Sequence, residues 1–308
     1  MILNTGSRTD IPAFYGEWME NRIREGFVLV RSPYDPARVT RYRFDPETAD
    51  LLAFCTKNPA PFLPRLDALR GFRQMWFVTI TPYGRDVEEN VPPAEEVIAS
   101  FRELSWRTGL SCMSWRYDPV FLTETYTEAF HREAFSRMAA ALEGYTDQVV
   151  VSFIDLYEKT KRNFPEIRPV SVPEQERLTA FFVETARRYG MTVRLCCEDP
   201  SLARFGADVS GCFSRSVAER AAGSALNPPR TGGARPACSC LLGNDIGAYN
   251  TCPHLCRYCY ANWDRETVLR NRARHDPASP YLIGGPQDGD TVSDARQVSW
   301  RDAQMRMF

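Results

Sequence analysis

The sequence alternates short apolar or β-branched runs with longer amphipathic stretches, and this alternation limits the folds open to the chain more than any other feature. The strand-like runs cover residues 2–5, 27–31, 51–56, 75–81, 112–117, 148–155 and 192–197. Between them lie helical patterns such as Val97, Ile98, Phe101 and Leu104, with apolar residues three and four apart. Strand alternating with helix predicts an α/β protein whose parallel sheet closes, fully or partially, into a (β/α) TIM-like barrel.

Most of the strand-like runs end in similar polar or turn-forming residues, in the segments SRTDIP, CTKNPAP, TITPYG, WRYDP, SFIDLYEKT and CCEDP. In such barrels the chemistry sits at the carboxyl ends of the strands. The predicted cofactor-binding residues at this edge are Lys57, Thr79, Thr81, Arg116, Asp118 and Asp155, with Arg8 and Asp10 as further candidates. Arginine suits carboxylate or phosphate recognition. For each of these residues a structural salt bridge is the alternative.

Three cysteines near residue 250 form a C-x3-C-x2-C array, Cys252, Cys256 and Cys259, within TCPHLCRYCYAN. Three thiolates can hold three irons of a [4Fe–4S] cluster and leave the fourth iron open to a small molecule. Zinc is the alternative, because soft thiolates suit both zinc and iron–sulfur clusters. Structural zinc motifs usually pair two C-x2-C knuckles, and no second knuckle follows this array. The spacing therefore favours an iron–sulfur cluster.

A second group of cysteines lies upstream of the array: Cys196, Cys197, Cys212, Cys238 and Cys240. Four of them could bind an auxiliary iron–sulfur cluster or a zinc ion, and scattered buried thiols are the alternative. Because side chains alternate along a strand, only one of Cys196 and Cys197 can face the barrel mouth. We favour Cys197, which is closer to the loop, and predict the ligand set Cys197, Cys212, Cys238 and Cys240. Cys55 and Cys112 are expected to be ordinary buried thiols.

The overall charge gives no indication of a nucleic-acid or membrane partner. The formal net charge is −1 and charges of both signs are mixed, so there is no global electrostatic footprint for nucleic acid or an anionic membrane, and a local basic patch stays open as an alternative. The first residues hold no apolar signal core, and no run reaches the roughly 20 apolar residues of a membrane span. We therefore expect a cytoplasmic protein in a reducing compartment, where clustered cysteines serve as metal ligands rather than disulfides.

The chain divides into four predicted parts. Residues 1–223 form the main part of the barrel, and 224–237 form a loop rich in proline and glycine. Residues 238–290 form a cysteine-rich module that binds the cluster and completes the barrel, with a short helix at about 263–274. Residues 291–308 form a C-terminal tail.

The cysteine array, with Tyr258 just before its last thiol, resembles the cluster-binding motif of radical S-adenosylmethionine enzymes. This resemblance implies a [4Fe–4S] cluster whose open iron chelates S-adenosylmethionine. It also implies that one electron cleaves the cofactor to methionine and a 5′-deoxyadenosyl radical, which abstracts hydrogen from a substrate. Tyr258 would pack near the adenine. Asn262 would contact the cofactor or cap the next helix, and a flavodoxin or ferredoxin would supply the electron.

The position of the array departs from that superfamily, in which it follows the first strand near the amino terminus. A circular permutation would account for the difference. Residues 247–262 would then supply the first strand, loop and helix, and 281–286 would begin the second strand. In agreement, CTKNPAP, FVTITPYG and WRYDPVF resemble the third to fifth strands of the spore photoproduct lyase-like branch.

The whole chain also resembles a bacterial family known only as a domain of unknown function, through SRTDIPAFYG, FCTKNPAP, WRYDP, SFIDLYEKT and DIGAYNTC. The sequence thus predicts a radical S-adenosylmethionine enzyme with an unknown substrate. Two alternatives stay open. The first is an enzyme of nucleic-acid repair or modification like the lyase, and the second is a zinc or iron–sulfur protein without catalytic activity.

Overall fold

A computed structural model describes residues 1–229, 238–241 and 243–301. In chain order its elements are β1 (Ile2–Asn4), α1 (Ile11–Phe14), α2 (Gly16–Glu25), β2 (Phe27–Arg31), β3 (Arg38–Arg43), β4 (Leu51–Thr56), β5 (Gln74–Thr79), α3 (Ala94–Thr108), β6 (Met113–Val120), α4 (Glu128–Leu142), β7 (Gln148–Phe153), α5 (Glu158–Asn163), α6 (Val172–Arg188), β8 (Thr192–Leu195), α7 (Arg215–Ala222), α8 (Arg265–Arg272) and β9 (Thr291–Asp294). Short 3₁₀ helices cover 60–69, 110–112 and 200–205.

The centre of the protein is a six-stranded sheet with the order β1-β4-β5-β6-β7-β8. Every neighbouring pair in it is parallel. Helices connect most of these strands, for example α3 between β5 and β6 and α4 between β6 and β7. The predicted mixed α/β fold with a parallel sheet is therefore confirmed. Parallel strands must be joined by long crossovers, which explains the spacing of the strand-like runs.

The sheet is open, so the predicted barrel is not closed by strand pairing within the described residues. Each edge is extended instead by one parallel bridge, between Asn4 and Asp245 beside β1 and between Arg194 and Asp208 beside β8. Backbone hydrogen bonds hold these bridges, with Ile246 N donating to Asn4 O at 2.9 Å and Leu195 N donating to Asp208 O at 2.8 Å. Closure of a barrel requires continuous ladders all round, and single bridges do not supply them.

The two segments that flank the sheet edges contact one another, and we call this contact between residues 210–213 and 239–241 the seam. The backbone N–H of Leu241 donates to the carbonyl of Phe213 at 3.0 Å. The hydroxyl of Ser239 donates to the carbonyl of Ser210 at 2.7 Å. Side-chain and loop contacts, rather than a strand ladder, thus span the gap between the two edges.

Both faces of the sheet are covered, which explains why its strands are nearly continuously apolar. One face packs against the helices in a core that includes Trp18, Trp76, Phe101 and Phe135, none of which is exposed. The other face, which we call the concave face, carries Ile2, Leu51, Ala53, Met75 and Phe77 and is covered by α7.

A second, three-stranded sheet has the order β2-β3-β9, with β2 antiparallel to β3 and β3 parallel to β9. The strand predicted at 27–31 is therefore real but does not belong to the parallel sheet, and β3 and β9 were not predicted. Residues 291–294 of the predicted tail form β9, and residues 302–308 lie outside the described part.

The predictions for the cysteine-rich module had mixed outcomes. Helix α8 lies inside the predicted range of 263–274. Residues 281–284 are bends and residues 285–286 have no regular structure, so the prediction of a strand there is wrong. Strand β1 occupies the place beside residue 245. Residues 230–237 of the predicted loop lie outside the described part. Among the described helices, none combines the length and apolar character needed to cross a bilayer.

Candidate metal centres at the carboxyl edge of the sheet

The array loop, residues 251–262, lies against segments that follow the carboxyl ends of the parallel strands. It is fixed to the segment after β5, because Arg257 N donates to Val87 O at 2.9 Å and Asn90 N donates to His254 O at 3.1 Å. On its other side, the Lys159 ammonium in α5 donates to the carbonyl of Tyr260 at 3.2 Å. The loop therefore lies at the sheet edge where parallel α/β proteins carry their chemistry.

The three array thiols influence one another electrostatically, but among the described residues their sulfurs do not form a group within 4.8 Å of one another. Burial raises the pKa of Cys256 well above its ordinary value, and the nearby charges of Glu88, Cys259 and Cys252 raise it further. Burial is also the largest cause of the raised pKa values of Cys252 and Cys259. Hydrogen bonds such as that from Ala261 N to the Cys259 sulfur at 3.3 Å favour a thiolate. A metal that binds here must displace the thiol protons.

Asp10 joins three separate parts of this edge. One of its oxygens accepts hydrogen bonds from the backbone N–H of Lys57 at 2.7 Å and from Nε2 of His254 at 2.9 Å. The other oxygen accepts from Ala13 N at 3.0 Å, at the start of α1. Asp10 is 6% exposed and His254 is 2% exposed. His254 is thus a buried residue that anchors the array loop, and it does not face solvent.

Glu88 is the acceptor of a buried network that the sequence did not reveal. Its carboxylate lies 2.8 Å from the Lys57 ammonium, accepts from the Thr81 hydroxyl at 2.7 Å and accepts from the Tyr258 hydroxyl. Burial is the largest single influence on the pKa of Lys57 and would lower it, but the charges of Glu88, Cys256 and Asp118 and the hydrogen bond to Glu88 together raise it. Glu88 also forms an isolated antiparallel bridge with Cys256. Glu88 and Glu89 are adjacent acids in one loop, so the sequence did not show which of the two would be the buried acceptor.

Arg116 and Asp118 form a second ion pair at this edge. Asp118 also accepts a hydrogen bond from the Ser152 hydroxyl, which comes from β7. The pKa of Arg116 is raised well above its ordinary value: burial opposes the shift, and the charges of Asp118 and of thiols including Cys212 and Cys55 outweigh burial. The structure therefore pairs Arg116 with Asp118, as it pairs Lys57 with Glu88.

Three further residues predicted to bind a cofactor, Thr79, Asp155 and Asn262, also follow or end strands or lie in the array loop. Thr79 is the last residue of β5, in register with Arg116. Asp155 lies two residues beyond the end of β7. Asn262 does not cap α8, because Asp264 is the N-cap of that helix. Its amide nitrogen donates to Cys252 O at 2.8 Å, while its Oδ1 is buried and has no hydrogen-bond partner among the described groups.

A tighter group of thiols lies at the seam. The sulfurs of Cys196, Cys212 and Cys240 all lie within 4.8 Å of one another, and those of Cys212 and Cys240 are 3.1 Å apart. Hydrogen bonds with Cys196 and Cys240, followed by burial, raise the pKa of Cys212 well above its ordinary value. We call these three residues the seam triad. Three thiols this close could bind a metal.

The seam triad differs from the predicted second set. Cys196 takes the place assigned to Cys197, because Val193 and Leu195 face the helices and alternation therefore turns Cys196 onto the concave face. Cys197 has a φ of 59°, so the chain is already turning there. Cys238 packs against the same apolar cluster but is not among the three converging sulfurs, and Cys55 packs against this cluster too.

Glu198 is a second acid that the sequence did not single out, although it lies in the strand-end motif CCEDP. Burial raises its pKa to about 8, with smaller contributions from Asp155 and Asp118. Its carboxyl accepts a hydrogen bond from the backbone N–H of Phe153 at 2.8 Å. A carboxyl group of this kind can carry a proton near neutral pH.

The comparisons with known proteins bear on the family and not on the activity. No curated protein matches the chain. The resemblance to a family of unknown function is confirmed, because the family described as Domain of unknown function (DUF1848) matches residues 2–261 and the protein therefore belongs to this family.

Proposed function

We propose that the protein is a radical S-adenosylmethionine enzyme in which Cys252, Cys256 and Cys259 hold a [4Fe–4S] cluster. The observation that carries the proposal is the setting of the array. Its three thiols lie close enough to influence one another's pKa, on a loop fixed at the carboxyl edge of a parallel sheet. Three thiolates leave one iron without a protein ligand, which is the position a small-molecule cofactor needs.

When bound, the cluster would supply one electron for cleavage of the cofactor into methionine and a 5′-deoxyadenosyl radical, which takes a hydrogen atom from the substrate. The surrounding residues would bind and orient the reactants. The buried Oδ1 of Asn262 suits a donor such as an amino or hydroxyl group of the cofactor. Asp10 and Glu88 hold the loop in place through His254 and Tyr258.

We also propose that the chain is a circularly permuted, partial barrel. The segment that precedes the array pairs in parallel with β1 through the bridge between Asn4 and Asp245. The prediction that residues 247–262 form a strand, a loop and a helix is wrong in its elements, because that range contains neither a strand nor a helix. What supports the permutation is that Asp245, shortly before the array, lies in parallel register beside β1. Met1 N donates to Val298 O at 2.9 Å, so residues from the two ends of the chain are neighbours in space. This proximity is what a permutation of one compact fold requires.

One alternative has an observation in its favour. The seam triad would equip a metal-binding protein that has no catalytic activity. Nucleic-acid repair has less support, because the formal net charge of −1 supplies no general attraction for phosphates.

The test is anaerobic reconstitution of the full chain with iron and sulfide, followed by reduction and measurement of 5′-deoxyadenosine formed from S-adenosylmethionine. We expect a cluster with about four irons at the array and formation of 5′-deoxyadenosine. Cys256→Ala should abolish the product and lower the iron content while the fold is kept. Cys112→Ser is the matched control, because Cys112 directly precedes β6 and so lies at the amino ends of the strands, away from the array. A reduced cluster that never cleaves the cofactor would refute the proposal.

A further inference from the structure

Three segments that are separate in sequence bring their thiols together at the seam. Cys196 directly follows β8, Cys212 follows the bridge residue Asp208, and Cys240 precedes the bridge residue Asp245. We propose that the seam triad binds a single zinc ion, and that this ion ties together the two flanks of the open sheet. The inference does not depend on the activity proposed for the array.

The spacing of the sulfurs favours one ion over a cluster. Zinc–thiolate bonds of about 2.3 Å in tetrahedral geometry place two sulfurs about 3.8 Å apart. In the seam triad the Cys212 and Cys240 sulfurs are 3.1 Å apart, and no pair exceeds 4.8 Å. The tetrahedral distance falls between these values. In a [4Fe–4S] cluster each thiolate binds a different iron, so the sulfurs must stand farther apart around a larger core.

The surroundings also suit an anionic metal–thiolate centre. All three thiols are buried, with Cys196 7%, Cys212 2% and Cys240 8% exposed. The backbone N–H of Phe213 donates to the Cys240 sulfur at 3.4 Å, and such outer contacts orient metal ligands. Three thiolates on a divalent ion carry one net negative charge. The guanidinium of Arg116 interacts electrostatically with Cys196 and Cys212 and would balance that charge.

Structural zinc is almost always four-coordinate, so the triad needs one more ligand. Three further thiols pack against the same apolar cluster: Cys55, Cys197 and Cys238. Each can be tested as the fourth ligand by a single substitution to serine.

The position of the ion gives it a structural role. The described backbone contact across the seam is the Leu241 to Phe213 hydrogen bond, supported by the Ser239 to Ser210 contact. Neither contact resembles a strand ladder. Metal–thiolate bonds among three segments would hold the flanks of β8 and β1 together, and metal binding of this kind contributes directly to folding free energy.

The experiment uses the full chain with Cys252, Cys256 and Cys259 replaced by alanine, so that metal at the array does not contribute. The protein is purified anaerobically, and its zinc, iron and sulfide contents are measured. We expect about one zinc per chain and little iron. Adding Cys212→Ser to this background should lower bound zinc about tenfold or more, whereas adding Cys112→Ser should leave it unchanged. Removal of zinc from the parent protein with a chelator should lower its melting temperature.

A second measurement guards against variants that fail to fold. The unsubstituted chain and its Cys212→Ser single variant are both loaded with cobalt(II), whose sulfur-to-cobalt charge-transfer absorption and visible bands report tetrahedral thiolate ligation. The bands that the single variant lacks belong to the seam triad, because both proteins keep the array thiols. Zinc should displace the cobalt and remove these bands. Three results would overturn the inference: about four irons with matching sulfide per chain in the array variant, a disulfide between Cys212 and Cys240 in the anaerobic protein, or zinc that persists in the Cys212→Ser variant. Failure of cofactor cleavage at the array would leave the zinc result intact.

Discussion

Replacement of Asp10 by alanine should destabilise the protein far more than loss of an ordinary helix cap. The wild-type carboxylate is buried and accepts three hydrogen bonds: from Ala13 N at 3.0 Å, from Lys57 N at 2.7 Å and from His254 Nε2 at 2.9 Å. The first caps α1, and the other two connect the end of β4 and the array loop to the amino-terminal segment. The substitution therefore removes a cap and two long-range ties at once.

The magnitude follows from the donors that lose their partner. A buried donor left unsatisfied costs about 1–3 kcal/mol, and loss of a helix cap costs about 0.5–2 kcal/mol. Two orphaned donors and one lost cap together give a loss of about 2.5–8 kcal/mol in the free energy of unfolding. A typical domain has only about 5–15 kcal/mol of stability in total. We expect the variant to fold marginally, with the largest disturbance at the array loop.

The assay is urea unfolding at neutral pH, followed by circular dichroism, on Asp10→Ala and on the matched control Asp264→Ala. Asp264 is also an N-cap aspartate, and it accepts from Thr267 N at 2.7 Å, but it is exposed. The control measures the effect of the cap alone. The difference between the variants, about 2–6 kcal/mol, measures the two long-range ties. Equal losses in the two variants would refute the view that Asp10 holds the array loop in place.

Two further predictions concern buried charge. Burial lowers the pKa of His131 in the folded protein to about 4. As the pH falls, His131 therefore becomes protonated in the unfolded chain before it does so in the folded protein, and this favours unfolding. Stability should drop by about 3 kcal/mol between pH 6.5 and 4, and His131→Asn should lack this component in urea titrations; an unchanged slope would contradict the assignment. Lys57→Met should lower the free energy of unfolding by about 3 kcal/mol, because it leaves the Glu88 carboxylate buried without its cation. The control is Lys161→Met, which breaks an exposed ion pair with Glu158 of the same 2.8 Å length and should change the free energy of unfolding little. Equal effects of the two substitutions would refute the role of burial.

The parallel sheet could be predicted because its strands are buried on both faces. Runs such as those at 51–56 and 148–153 are short, apolar and separated by helical patterns. Any parallel sheet covered on both faces requires these features of its sequence, whichever order its strands take. The strands at 38–43 and 291–294 escaped prediction for the opposite reason. Their residues are largely polar and exposed, and their pairing depends on contacts between distant parts of the chain.

The sequence predicted that the candidate site lies at the carboxyl ends of the strands, but it did not predict which side chains pair there. Strand-end motifs identified Lys57 and Arg116, yet the carboxylates that pair with them lie at very different distances along the sequence. Asp118 is two residues from Arg116, while Glu88 lies in a loop whose position only the fold determines. The choice between Cys196 and Cys197 failed because the strand ends at Leu195, so closeness to the loop was a poor guide to side-chain direction.

Arg116 lies near both candidate metal centres, because its charge acts on residues of the seam triad and of the array loop. Its charge acts on Cys212 and Cys196 at the seam. It also acts on Tyr260, whose pKa is raised first by burial and then by the Cys259 charge. A metal that turns the seam thiols into thiolates would place negative charge near Arg116, whose guanidinium is paired with Asp118. That added charge would act on the same cation that acts on Tyr260 of the array loop.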